Sequence, residues 1–94
     1  MEFWKVEQKP VPIKTVAPVY PNIARKAEIE GKVFVQFVVG KDGRVRNVRV
    51  LRGPEIFRQA AIDAVKQFVF QPAVQNDKPV QVQMVQPINF TLRK

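Results

Sequence analysis

The chain has 94 residues, enough for one domain with a modest core. It carries no cysteine and no histidine, which excludes a disulfide framework, a zinc–thiolate site, a thiol nucleophile and the commonest general base. Sixteen Lys and Arg against eight Asp and Glu give a formal net charge of +8 and a pI near 10.3, so polyanion binding must be weighed. The basic residues are nevertheless scattered from Lys5 to Lys94 without a block of like charge, and a solvated basic surface is the simpler reading.

The carboxylates Glu2, Glu7, Glu28, Glu30, Asp42, Glu55, Asp63 and Asp77 show no spacing that suits an acid/base couple or an oxygen cage for a hard cation. The expectation is a chain that is not an enzyme and that uses no metal or cofactor. No run of 18 apolar residues occurs, and the charged start from Met1 to Val11 is unlike a signal peptide. A membrane anchor, if the protein has one, is expected outside this sequence.

Residues 1–17 read as the extended, proline-containing end of a linker, with Lys5, Lys9 and Lys14 interleaved with Pro10 and Pro12. A β-like patch from Val11 to Val16 can add to a sheet edge. Phe3 and Trp4 read as packed onto the body or disordered. Residues 18–94 read as one folded unit.

Pro21 suits the first position of a helix, and Ile23, Ala24 and Ala27 fall on one side of it, with Gly31 as its stop. Lys32 to Val39 alternates as a strand, with Val33, Val35, Phe37 and Val39 on one face and Phe34, Gln36 and Val38 on the other. Gly40-Lys41-Asp42-Gly43 supplies a turn, and Arg44 to Arg52 returns as the second arm of a hairpin. Its arginines Arg44, Arg46, Arg49 and Arg52 read as a solvated face, with contact to an acidic partner or a polyanion as the alternative.

Gly53-Pro54 breaks that strand. Ile56, Phe57, Ala60, Ala61, Ala64, Val65 and Phe68 then recur at three- and four-residue steps, which predicts a helix from Pro54 to Gln67 that covers the sheet. Pro72 prevents its continuation. After a loop at Asn76-Asp77-Lys78-Pro79, alternation from Val80 to Leu92 predicts one long strand. Pro87 marks it as an edge. Phe34, Phe37, Phe57, Phe68, Phe70 and Phe90 are assigned to the core.

The order of pieces is specific. Tyr20-Pro21, an alanine-bearing helix, Glu30-Gly31-Lys32-Val33, Asp42-Gly43 with Val45 and Val48, the helix with Ala60, Ala61 and Ala64, Phe70-Gln71-Pro72-Ala73, and Pro87-Ile88-Asn89-Phe90 together resemble the TonB C-terminal domain family. The resemblance runs from about Pro18 to Leu92. It implies an α+β fold, TonB C-terminal-like, with two helices packed on one face of a three-stranded antiparallel sheet and an extended N-terminal segment.

The resemblance further implies the periplasmic domain of a TonB-type energy transducer, anchored in the inner membrane through a segment absent from this sequence. The implied partners are the plug peptide of an outer-membrane TonB-dependent receptor, captured as an added β-strand, and inner-membrane motor proteins that act through absent regions. The implied contact residues are Val80, Gln81, Val82, Gln83, Met84 and Val85, with Val16, Ala17 and Pro18 nearby. Gln81, Gln83 and Gln86 include no lysine that would discourage pairing. The same edge can also support a homodimer by strand exchange. Two positions at which the family touches the receptor hold Ala17 and Ile23 here, and Phe68 stands where many members have tryptophan, so partner specificity is expected to differ. The rival readings are a TonB-like accessory or sensor domain that binds another envelope protein or the cell wall, and a nucleic-acid module. The second rests on charge alone, since the sequence shows no interleaving of aromatic and basic residues on an exposed sheet face; the partner expectation is no nucleic acid.

Overall fold

A computed structural model describes residues 6–92; Phe3 and Trp4 therefore lie outside the described residues. The elements are β1 (Val11–Lys14), α1 (Asn22–Lys26), β2 (Gly31–Val39), β3 (Val45–Arg52), α2 (Glu55–Val65), β4 (Val69–Gln71), β5 (Ala73–Gln75), β6 (Lys78–Val80) and β7 (Val82–Phe90). All strand pairs are antiparallel: a three-stranded sheet in the order β3-β2-β7, and two-stranded sheets β1-β4 and β5-β6. The chain is thus an α+β fold with two helices, and it has more sheet than the three strands expected.

β2 is the central strand, paired with β3 on one side and β7 on the other. Val33, Val35, Phe37 and Val39 are fully buried, opposite Ile88, Gln86, Met84 and Val82 of β7. Helix α2 lies on this face through Phe57, Ala61, Ala64 and Val65 and contacts β2 and β3. Each buried phenylalanine contributes about 1.5–3 kcal/mol by leaving water. At one end of the core Phe57 stacks on Phe90 with centroids 4.3 Å apart, and Tyr20 meets both rings edge-on. At the other end Phe37 and Phe68 pack on Phe70. Phe34 is an exception to the expected core set: it is half-buried, on the opposite face of β2.

Helix α1 is shorter than the sequence suggests. It ends at Lys26 with Ala27 as its cap, not at Gly31, and Glu28 just beyond adopts φ 57°. The Glu28 N–H donates to Arg25 C=O and the Ile29 N–H to Ala24 C=O, the paired bonds of a left-handed C-terminal cap that glycine usually provides. The chain then runs straight into β2. Tyr20 holds this passage, its hydroxyl donating to the Ile29 carbonyl. Lost hydration, reinforced by Glu30, raises the pKa of that phenol, while Arg25 opposes the shift.

The expected long terminal strand is divided at Gln81. Asn76 and Asp77 have φ 52° and 60°, and Gln75 pairs with Lys78. Two consecutive left-handed residues make the two-residue turn that joins twisted strands, so the stretch read as a loop is the tip of the β5-β6 hairpin. The segment from Val6 to Lys14 is extended, as its prolines require, but it is also paired. Val6 is buried with the core, Gln8 bridges Val74, and β1 pairs with β4.

Candidate functional site: the open edge of the sheet

β7 is the outermost strand of the three-stranded sheet, and no strand pairs with its other side among the described residues. Its register against β2 runs without a shift from Gly31↔Phe90 to Val39↔Val82. In such a ladder, successive residues point their N–H and C=O alternately towards the partner strand and away from it.

The side each residue faces can be deduced. Gly40 donates its N–H to Arg44 C=O across the β2–β3 hairpin, so the even-numbered residues of β2 face β3. Its odd-numbered residues therefore face β7, where they meet Val82, Met84, Gln86, Ile88 and Phe90. The backbone groups of Gln83, Val85 and Asn89 consequently point to the open side. Pro87, which has no N–H to offer, falls in the same outward set, where its presence costs no ladder bond.

This edge is uncharged. Gln83, Val85, Pro87 and Asn89 line it, and Val85 is 49% exposed. Continuous and without a lysine gatekeeper, it is suited to accept an extended chain as a further strand.

The sequence-derived contact residues divide into three groups. Val82, Gln83, Met84 and Val85 belong to β7. Val80 pairs with Ala73 in the small hairpin, and Gln81 lies between β6 and β7. Val16 and Ala17 line a separate apolar cavity of about 270 Å³, with Val19, Pro21 and the α2 residues Ala60, Asp63, Ala64 and Gln67. Pro18, next in sequence, is half-buried, and Val19 and Ile23 are 79% and 74% exposed. Sequence reading missed the outward parity of Gln83, Val85 and Asn89; Pro87 is the signal that could have supplied it.

The two β2–β3 register shifts were missed as well. They fall between the Phe34↔Arg52 and Val35↔Val50 pairs and between Gln36↔Arg49 and Val38↔Arg46. Asn47, at φ 53°, is the extra residue of the latter. Arg44 stands apart from the other arginines, bridging Val69 and lining a cavity of about 280 Å³ with Lys14 and Lys66. Among the described residues, no three His, Cys, Asp or Glu are grouped as for a metal ion.

An α+β domain built in this order, with an antiparallel sheet ending on an open strand, defines a class with solved members. Residues 16–92 match the family model for the Gram-negative bacterial TonB protein C-terminal, and the chain belongs to that family. It is 37% identical to Protein TonB of Vibrio cholerae over 79 residues, 82% of this chain and 32% of that protein. It is 32% identical to Protein TonB of Pseudomonas aeruginosa over 85 residues, 88% of this chain and 25% of that protein. The chain thus spans about a third or less of the length of these relatives. In structure it resembles the solution NMR structure of the P. aeruginosa TonB C-terminal domain, with TM-score 0.72, 30% identity, and coverage of 90% of this chain and 88% of that one. The tonB2 protein of Vibrio anguillarum gives TM-score 0.67 at 27% identity, over 94% of this chain and 86% of that one.

Proposed function

We propose that this chain is the periplasmic domain of a TonB-type energy transducer, that it binds the plug peptide of an outer-membrane receptor as a strand added to β7, and that it passes inner-membrane proton-motive energy to that receptor for active uptake. The observation that carries the reading is the open side of β7, continuous, uncharged and with outward backbone groups at Gln83, Val85 and Asn89. Strand addition draws its affinity from main-chain hydrogen bonds, so it tolerates side-chain departures such as Ala17 and Ile23. Several such bonds loaded together also resist a pull, which is what mechanical coupling demands. The domain acts by binding, not by catalysis.

The test is a backbone-amide NMR titration with an extended plug-terminal peptide from a TonB-dependent receptor of the same organism. The largest shifts are expected at Gln83, Val85 and Asn89, with peptide amides becoming protected from exchange. Shifts confined to the Val16–Ala17 groove, or none in a folded monomer with several such peptides, would overturn strand capture and favour an accessory domain that binds another envelope component.

A further inference from the structure

The outer face of the three-stranded sheet, turned away from α2, contains an ordered column of positive charge. Arg46, Arg49 and Arg52 are spaced by three, which on a regular strand would send successive side chains to opposite faces. The two register shifts of β3 each insert one residue between them. Val45, Val48 and Val50 therefore turn towards the core, and the three arginines stand opposite Val38, Gln36 and Phe34 on the other face. Adjacent arginines thus oppose β2 residues two apart, a step of about 6.6–6.8 Å.

The column is held in place at both ends. Arg46 bonds Asp42 at 3.0 Å, and the Arg52 guanidinium lies 4.5 Å from the centre of the Phe34 ring. Arg49, between them, is exposed. The carboxylate bonded to this column is that of Asp42; Glu30 accepts from the Leu92 N–H, and Asp63 from Gln59.

We propose that this face is a second docking surface, for an extended acidic peptide segment with carboxylates at alternate positions. Such a segment repeats its side chains at about 6.8 Å, which matches the arginine step, and each guanidinium can present a fork of N–H donors to a carboxylate. Single-stranded nucleic acid has similar charge spacing but needs uncovered aromatic rings for its bases, and Phe34, the aromatic residue on this face, already carries Arg52. The surface is separate from the β7 backbone edge, so an acidic segment and an added strand can be held together.

The probe is a synthetic peptide with three glutamates alternating with threonine, set against a control of the same composition with the glutamates contiguous. Both are titrated into the full chain at low ionic strength and followed at the arginine Nε–Hε NMR signals. The alternating peptide should shift Arg46, Arg49 and Arg52 and bind more tightly than the control. Arg49→Gln should weaken it about three- to five-fold, the scale of one exposed charge pair, without moving the unfolding midpoint. Gln83→Pro, which blocks the β7 edge, should leave this binding intact. Equal affinity for the two peptides, no effect of Arg49→Gln, or loss of binding in Gln83→Pro would overturn the proposal. So would tighter binding of a single-stranded oligonucleotide of equal charge.

Discussion

The two outer strands of the sheet deal with the same liability in opposite ways. An outermost strand offers unpaired backbone groups to any passing chain, and β3 is defended on three counts. It is bulged twice, it bears Arg46, Arg49 and Arg52, and its turn end is tied to β4 through the Arg44–Val69 bridge and the Phe70 N–H bond to Gly43 C=O. β7 has none of these devices: its register is unbroken and its outward residues are uncharged. The sheet thus carries bulges and charges on one edge and leaves the other plain, and the plain edge is the one on which we propose that a strand is added.

The largest effect is expected where β3 is tied down. Gly43 has φ 81°, and a Cβ there would sit 1.9 Å from the Phe70 carbonyl oxygen. Gly43→Ala must therefore break the tie to β4, at a cost of at least about 3 kcal/mol from strain and overpacking. A urea midpoint close to that of the parent chain would show that β3 does not depend on this closure.

Next come two prolines on β7, one residue apart. Met84 directs its N–H to β2, so Met84→Pro removes a ladder bond inside the domain and should cost about 2–3 kcal/mol. Gln83→Pro removes an N–H that faces outward, as Pro87 already does, and should cost under about 1 kcal/mol while sharply weakening capture of the plug peptide. The decisive readouts are denaturant unfolding and peptide titration on the same two variants. Similar destabilisation by both would mean that the parity assigned to β7 is wrong.

That parity shows how far the sequence could be read. The helix over α2, the β2–β3 hairpin and the edge character of β7 follow from period and proline placement, because burial on one face imposes a visible alternation. The division of the last strand did not follow, since Asn76-Asp77 resembles a loop until its two left-handed residues are seen to close a hairpin. The arginines read as one solvated face, but how residues spaced by three reach the same face was hidden for a related reason: a bulge shifts parity by one residue and leaves little trace. Asn47, a turn-forming residue inside an otherwise β-rich arm, was the available clue. The placement of Val16 and Ala17 against α2 depends on tertiary packing that no local pattern encodes.

A smaller change should make β7 behave like β3. Val85→Lys places on the open side the charge that natural edges use against pairing, and it removes half-exposed apolar surface. Peptide affinity should fall about two- to five-fold with little change in stability. Undiminished affinity at low and high salt would mean that the added strand does not run past Val85.

The smallest effect lies in the turn joining β2 to β3. The Arg44 N–H donates to the Asp42 carboxylate at 3.0 Å, and this bond, helped by Arg46, holds the Asp42 pKa below its ordinary value of 3.8 despite some lost hydration. A carboxyl lowered in the folded state adds stability that is present above its unfolded pKa and is lost as pH falls through the folded one. The turn should therefore weaken only below about pH 4, and by little, since Asp42 is exposed. Asp42→Asn should flatten that acid limb of the melting-temperature profile while leaving Arg46 free on the outer face. If binding of the alternating acidic peptide then strengthens at neutral pH, Asp42 is an internal competitor for the arginine column; if binding is unchanged, Arg46 contributes to the turn of β3 and not to that surface.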